Sequence, residues 1–406
     1  MVDFARSTDP AVQAELSHLE LLSPGADVLG LERISELLDA LGRPQDRLPP
    51  IFHVAGTNGK GSTCAFLRAG LEEAGYSVHA FTSPHLVRFN ERIRIAGRLV
   101  GNKALADLLH RVRMVSADIR PSFFEATTAA ALLAFAEHDA DACVIEVGLG
   151  GRLDATNVIE RPLVCGIASI GVDHEAFLGA RIEGIAAEKA GIAKAGVPLV
   201  TLAQPDAVVA ALAKVAAERG APLLLEDRDW RFDASLQPAM AGAFQVRNAN
   251  LAWAMLQAQD RLVVDLAAFV RGLARARWAA RFQLMVDGPL TLGVETWVDG
   301  AHNADAASAL AASLDARGPM HLVLGILSNK NANAIIATLK PHARSLTFVA
   351  VPGHDSHDPA ALAGQHGGRA AAGLEDALCD LSAPRLIAGS LYLAGEALAR
   401  NGEYPD

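Results

Sequence analysis

"HVAGTNGKGST", residues 53–63, packs three glycines and one lysine into eleven positions. It continues "PPIFHVAG" (49–56), which reads as a strand, and opens "KGSTCAFLRAGLEEAG" (60–75), which reads as a helix ending at Gly75. Strand, glycine loop and helix aim backbone N–H groups and a helix N-terminus at an anion. Gly56, Gly59 and Gly61 permit the tight turn, Lys60 brings charge for the β- and γ-phosphates, and Ser62 or Thr63 can hold a phosphate oxygen or a metal. The spacing departs from GxxxxGK[ST]: only Thr57 and Asn58 separate Gly56 from Gly59, and Gly61 stands between Lys60 and Ser62. Alone, the loop says phosphate and names no reaction.

Outward from the loop, "YSVHAFTS" (76–83), "DACVIEVG" (141–148), "PLVCGIASI" (162–170) and "VPLVTLA" (197–203) read as strands, and "IEGIAAEKAGIAKAG" (182–196) as a helix. Near-continuous apolar, β-branched runs between helices indicate a parallel sheet covered on both faces. The class is α/β, with a P-loop, doubly wound and mostly parallel sheet in the N-terminal domain. A break falls near "RFQLMVDGPLTLGVETW" (281–297). A second series follows: "TWVDGAHNADAASALAASLDARG" (296–318), "MHLVLGIL" (320–327), "NAIIATLK" (333–340), "SLTFVAV" (345–351) and "PRLIAGSLYLAGEAL" (384–398). The expected domains are 1–285 and 286–406, the second a smaller Rossmann-like α/β unit. The alanine- and glycine-rich "SHDPAALAGQHGGRAAAGLED" (356–376) reads as loop and helix.

The 406 residues exceed one ordinary core, and 51% hydrophobic with 20% charged residues describes a soluble globular chain. With 36 basic and 46 acidic groups the net charge is -10, which argues against a nucleic-acid surface. An anionic substrate then needs a local basic or amide-lined site. The amino terminus lacks a basic region followed by an apolar core, and no run of about 18 apolar residues occurs, so a cytoplasmic protein without membrane contact is expected. Cys64, Cys143, Cys165 and Cys379 lie far apart without CxxC spacing and read as buried thiols.

Three further segments carry groups suited to a metal and an anion. Ser83 follows a strand in "FTSPHL" (81–86); Glu146 sits inside the apolar strand of "VIEVGLGGRLDATN" (144–157); Asp173 and His174 end another strand in "IASIGVDHEAFLG" (167–179). A lone carboxylate in an apolar strand costs several kcal/mol unless paired or metal-bound. All three segments lie at strand C-termini, where open α/β sheets bind ligands. A hydroxyl, a carboxylate and an imidazole can share a Mg²⁺ that keeps several waters. Lys189, beside Glu188 in "AAEKAGIAKAG", reads from spacing alone as a surface lysine.

Together, "HVAGTNGKGST", "FTSPHLVRFNERIRI" (81–95), "EVGLGGRLDATN" (146–157), "DHEAFLG" (173–179), "EKAGI" (188–192), "RFQ" (281–283) and "DGAHN" (299–303) have the order and spacing of one family. The chain resembles the folylpolyglutamate synthases and dihydrofolate synthases, including the bifunctional ones, which are relatives of the Mur peptide ligases. The resemblance runs from about residue 16 to the end and is densest between 50 and 195. It implies an ATP-dependent amide ligase that adds L-glutamate to dihydropteroate, and to tetrahydrofolate polyglutamates, through an acyl phosphate. By position it implies that Gly56, Thr57, Asn58, Gly59, Lys60, Gly61, Ser62 and Thr63 hold the ATP phosphates. Ser83, Glu146 and His174 match the magnesium ligands, with K⁺ an additional candidate ion. Lys189 matches a lysine that is carbamylated in the family, and Lys60, His174 and Lys189 are the implied catalytic groups. Asn248 matches an adenine-side asparagine, and Arg281, Asp299 and His302 match nucleotide contacts, with ATP expected in the interdomain cleft. For the pterin the resemblance implies Leu29 and Gly30 in "ADVLGLERI" (26–34), Phe124 and Glu125 in "SFFEATT" (122–128), and Leu153, Asp154 and Ala155. A monomer is implied.

Two departures stand out: Asp27 and Val28 replace the family's isoleucine–aspartate, and Asn329 and Asn331 flank Lys330 where relatives often carry aspartates. Three other readings compete. A Mur-type ligase of a UDP-muramyl substrate shares the phosphate loop but lacks "FTSPHLVRFNERIRI". A nucleotide-binding regulator without catalysis need not retain Lys60, Glu146, His174 and Lys189 together. A monofunctional folylpolyglutamate synthase would carry the same loop motifs.

Overall fold

The computed structural model describes residues 7–23, 29–179 and 181–406; Asp27 and Val28 of the expected pterin segment lie outside the described residues. The chain divides into two compact units: Met1–Pro238 with Val246–Ala276, and Ala239–Gln245 with Arg277–Asp406.

The first unit is built on eight strands: β1 (Ile51–Ala55), β2 (Val78–Phe81), β3 (Ile93–Ile95), β4 (Arg98–Leu99), β5 (Ala142–Glu146), β6 (Val164–Ile167), β7 (Leu199–Thr201) and β8 (Leu223–Leu225). Their order is β4-β3-β2-β5-β1-β6-β7-β8. The six strands from β2 to β8 run parallel, and β3 and β4 add an antiparallel edge. β1 lies between β5 and β6, so the connections leave it in both directions, the arrangement that opens a ligand crevice at the strand C-termini. Its register places Val54 beside both Glu146 and Gly166.

Both faces of this sheet are covered, as its apolar strands require. Ile51, Cys143, Ile145 and Phe81 join the buried helix Phe123–Ala136 in one core, with Cys165 and Ile167 continuing the layer toward Ile185 and Leu212. On the alternate positions, Gly166 lies against the Met255 side chain of helix Ala243–Gln257, and helix Lys60–Glu73 lies over β1, β2 and β5. That helix meets Leu266–Arg275 closely: a Cβ on Gly70 would fall 2.7 Å from the Phe269 ring, and one on Gly272 2.8 Å from the Ala69 backbone. The helix expected over 182–196 stops at Ala190. A Cβ on Gly191 would sit 2.3 Å from that of Arg152, and the Asn157 amide donates to the Gly191 carbonyl, so the 151–157 loop occupies the space of a further turn.

The second unit carries β9 (Gln283–Leu284), β10 (Thr296–Val298), β11 (Met320–Leu324), β12 (Ala343–Phe348), β13 (Arg369–Ala370) and β14 (Arg385–Ala388). Their order is β13-β12-β11-β14-β10-β9, parallel except for β9. The segment 356–376 holds helix Pro359–His366 and β13. Of the thiols, Cys64, Cys143 and Cys165 are buried as expected, while Cys379, at the C-cap of the short helix Leu374–Leu378, is exposed. Among the described residues no helix is long and apolar enough to cross a membrane.

Candidate active site

Four adjacent parallel strands of the first unit, β2, β5, β1 and β6, end at one edge, and the loops there carry the groups singled out from sequence. The phosphate loop leaves β1 at Gly56, which admits no side chain: its φ is 149°, and a Cβ there would sit 2.8 Å from Ala168 Cβ. Gly59, at φ 91°, caps the helix; a Cβ there would come within 2.4 Å of Asn248 Oδ1, so the asparagine amide abuts the loop itself. The loop is also tied to the segment after β6. Thr57 and Asn58 N–H groups donate to the Ser169 carbonyl at 2.8 and 3.2 Å. The Thr57 hydroxyl donates to the Gly171 carbonyl at 2.9 Å and accepts the Gly171 N–H at 3.1 Å. Gly61, Ser62 and Thr63 are buried in the first turn, and Thr63 Oγ1 has no hydrogen-bond partner.

Lys60 Nζ folds back to the Gly56 and Thr57 carbonyls at 3.1 and 3.2 Å. A second cation reaches the same carbonyl: Lys189 Nζ donates to Gly56 O at 3.0 Å. The surface reading of Lys189 from spacing alone is overturned, since the side chain is only 4% exposed. Helix Ile182–Ala190 turns its last residues inward because Gly151 packs directly on the Lys189 backbone. Burial, then the neighbouring Lys60 charge, pulls the Lys189 ammonium down to about 7, while Asp173 and Asp154 oppose the shift.

Glu146 is 4% exposed at the end of β5 and accepts the Ser83 N–H at 3.3 Å, so two of the three expected metal ligands meet. His174 arrives from the loop after β6 with φ 54°, an uncommon conformation for a non-glycine residue, and its N–H donates to Asp173 Oδ1 at 2.8 Å. Among the described residues no group of three or more His, Cys, Asp and Glu side chains is arranged to hold a metal. A buried carboxylate beside a serine, with an imidazole on a neighbouring loop, nevertheless fits a hard divalent ion that retains water and phosphate oxygens.

The expected pterin residues form a second group around the loop after β5. Phe124 is half-buried at the start of helix Phe123–Ala136, and its ring lies over Gly148, where a Cβ would sit 2.3 Å from Cζ. Leu153 is half-buried and Ala155 buried. The Asp154 carboxylate is turned inward, accepting the Leu149 N–H at 2.8 Å and the Thr156 N–H at 2.9 Å. Burial, its leading cause, raises the Asp154 pKa against these donors. The Glu125 carboxylate accepts the Ser122 N–H at 2.6 Å as a capping box and pairs with Arg33 Nε and Nη2, each at 3.1 Å. Arg33 is a member that sequence reading missed; the second residue of helix Glu32–Ala40, it has no local motif to mark it. Leu29 and Gly30 are half-buried just before that helix.

Arg281, Asp299 and His302 belong to the second unit. Arg281 is flanked by Ala280 and Phe282, both at positive φ. Asp299 is buried and accepts N–H groups of Phe282 and Ala301, each at 2.7 Å. His302 Nδ1 lies 2.8 Å from the Gly300 carbonyl, which makes it the donor.

No family model matches the chain. It is 36% identical to the dihydrofolate synthase/folylpolyglutamate synthase of Bacillus subtilis, with 79% of this chain and 80% of that protein covered. Among solved structures it is similar to E. coli FolC in complex with DHPP and ADP, with TM-score 0.85, 31% identity, and 96% and 97% of the two chains covered. It is also similar to the bifunctional folylpolyglutamate synthase/dihydrofolate synthase of Yersinia pestis complexed with AMPPNP and Mn ion, with TM-score 0.86, 31% identity, and 97% and 99% covered.

Proposed function

Because the chain belongs to the family of dihydrofolate synthases and folylpolyglutamate synthases, we propose that it joins L-glutamate to dihydropteroate and to tetrahydrofolate polyglutamates. It is an ATP-dependent acid–amino-acid ligase. The observation that carries the reading for these residues is the delivery of Lys60, Glu146, His174 and buried Lys189 to one sheet edge.

The chemistry follows from the electrophile. A carboxylate resists attack by an amine, so its oxygen first takes the γ-phosphoryl group of ATP, releasing ADP and leaving an acyl phosphate. The glutamate amine then adds to the acyl carbon, and the tetrahedral intermediate collapses with loss of phosphate and a proton. Lys60, released from its two carbonyls, would hold the transferring phosphoryl group, and the loop N–H groups from Gly56 to Thr63 would orient it. Ser83, Glu146 and His174 would hold a magnesium ion, whose charge offsets that of the phosphates. Asn248 would contribute an adenine contact, and Arg281, Asp299 and His302 would contribute further nucleotide contacts. Phe124 would supply an aromatic face for the pterin, with Leu29, Gly30, Leu153, Asp154 and Ala155 as further contacts, and Glu125, paired with Arg33, would fix the start of that helix.

Lys189 would work as its carbamate. An amine with its pKa pulled down to about 7 is largely uncharged just above neutrality and attacks CO₂, giving N–COO⁻ and one proton. That step replaces one of the two amines at Gly56 O with an anion beside Lys60. The deciding measurement is ADP release by purified protein with L-glutamate and either dihydropteroate or tetrahydrofolate. Release with both is expected. Release with one alone reduces the protein to a monofunctional enzyme, and release with neither refutes the proposal.

A further inference from the structure

His53 lies on β1, three residues before Gly56, with its ring wholly buried. Its Nε2 is 2.8 Å from Thr156 Oγ1, and the Thr156 hydroxyl donates in turn to Asp154 Oδ1. The arrangement fixes the direction of each bond. A carboxylate fed by the N–H groups of Leu149 and Thr156 is in its acceptor form, so the single Thr156 hydroxyl proton goes to Asp154. Only lone pairs of the Thr156 oxygen then face His53, so Nε2 carries the imidazole proton. Nδ1 is buried and has no hydrogen-bond partner among the described residues, which suits a bare lone pair better than an orphaned N–H. Burial, with Lys194 as a lesser cause, keeps the ring neutral by lowering its pKa to about 3.

An apolar residue would fill this strand position without a stranded nitrogen. The histidine therefore costs the fold something, and its one bond, to Thr156, is what it returns. Thr156 lies in the short helix Ala155–Val158, and Asp154 caps that helix while holding Leu149 at the far side of the same loop. Resting on the pterin reading of this loop, we infer that His53 is a positioning residue for it. Through Thr156 it sets Asp154, and with it the 148–155 segment that faces Phe124. The strand that presents the phosphate loop thus also preforms the substrate side.

Two pairs of variants test this: Thr156→Val and His53→Leu remove the bond, whereas Thr156→Ser and His53→Gln keep a donor or acceptor in place. Each of the first pair should raise KM for dihydropteroate about tenfold while KM for ATP moves less than about twofold, and the second pair should recover most of the loss. The double variant His53→Leu with Thr156→Val should be no worse than either single one, because both cut the same chain. Additive losses, or equal rises in both KM values, would make His53 an ordinary core residue. The tautomer gives a readout independent of activity and of any variant's folding. Nitrogen-15 spectra of the wild-type protein should show a neutral His53 with an exchange-protected Nε2–H from about pH 5 to about pH 8; an Nδ1–H form would overturn the relay. A wild-type protein inactive with dihydropteroate but showing that tautomer would refute the substrate assignment and leave the relay standing.

Discussion

The two sheets follow the same plan, parallel strands with an antiparallel edge, yet their C-terminal edges are furnished differently. In the first unit two lysines converge on one carbonyl oxygen, and a carboxylate closes the end of an apolar strand. In the second unit the polar groups are absorbed by their own loop: Asp299 is engaged by two main-chain N–H groups, and His302 donates to Gly300. The same topology therefore yields a reactive edge, where two lysines share one carbonyl oxygen, and a shaping edge, where a buried carboxylate is engaged by two main-chain N–H groups.

The contrast is most exposed at Lys60. Lys60→Ala should cut ADP release on the order of 10³-fold with an unchanged melting temperature. A folded variant with normal turnover would erase the distinction between the two edges. Lys189→Ala comes next, at about 10²-fold, with partial rescue by a small carboxylate such as acetate. Wild-type protein stripped of CO₂ should regain activity faster at about pH 8 than at about pH 6 under fixed dissolved CO₂, because the amine loses its proton near 7. Equal recovery at the two values would rule out a carbamate there. Gly148→Ala, which sets a methyl group against the Phe124 ring, should raise KM for the pterin substrate about tenfold and leave KM for ATP alone; matched rises would detach Phe124 from the substrate.

Smallest in its effect on turnover is Asp299→Asn. The amide offers a single acceptor oxygen to the N–H groups of Phe282 and Ala301, and its NH₂ opposes the other donor. A stability loss of about 1–3 kcal/mol in denaturant titration is expected, with kcat changed far less than in Lys60→Ala. A collapse of kcat without destabilisation would move Asp299 to the reactive class.

Local pattern carried the strands, the phosphate loop and the placement of Ser83 and Glu146 at strand ends, since each is decided within about ten residues of sequence; Asp173 and His174, expected to end a strand, lie instead in the loop beyond β6, which stops at Ile167. What failed was burial set by distant chain. Lys189 reads as a surface residue until Gly151, far upstream, allows the helix end to pack inward. The helix over 182–196 reads six residues too long because nothing local announces Arg152 against Gly191. Glu125 was legible as part of "SFFEATT", but its partner Arg33 was not. Cys379, apolar by its neighbours in sequence, is exposed because its short helix ends there.

The clasp between Thr57 and Gly171 bears on how this site can drift over generations. Thr57 reads residue 171 through the main chain alone, taking its N–H and giving to its carbonyl, and the phosphate loop reads Ser169 in the same way. The Ser169 side chain thus takes no part in this grip, Ile170 is fixed instead by the core it is buried in, and position 57 needs a short hydroxyl that both donates and accepts. Among descendants of this gene, Thr57 should interchange with serine alone, even where Ser169 is replaced.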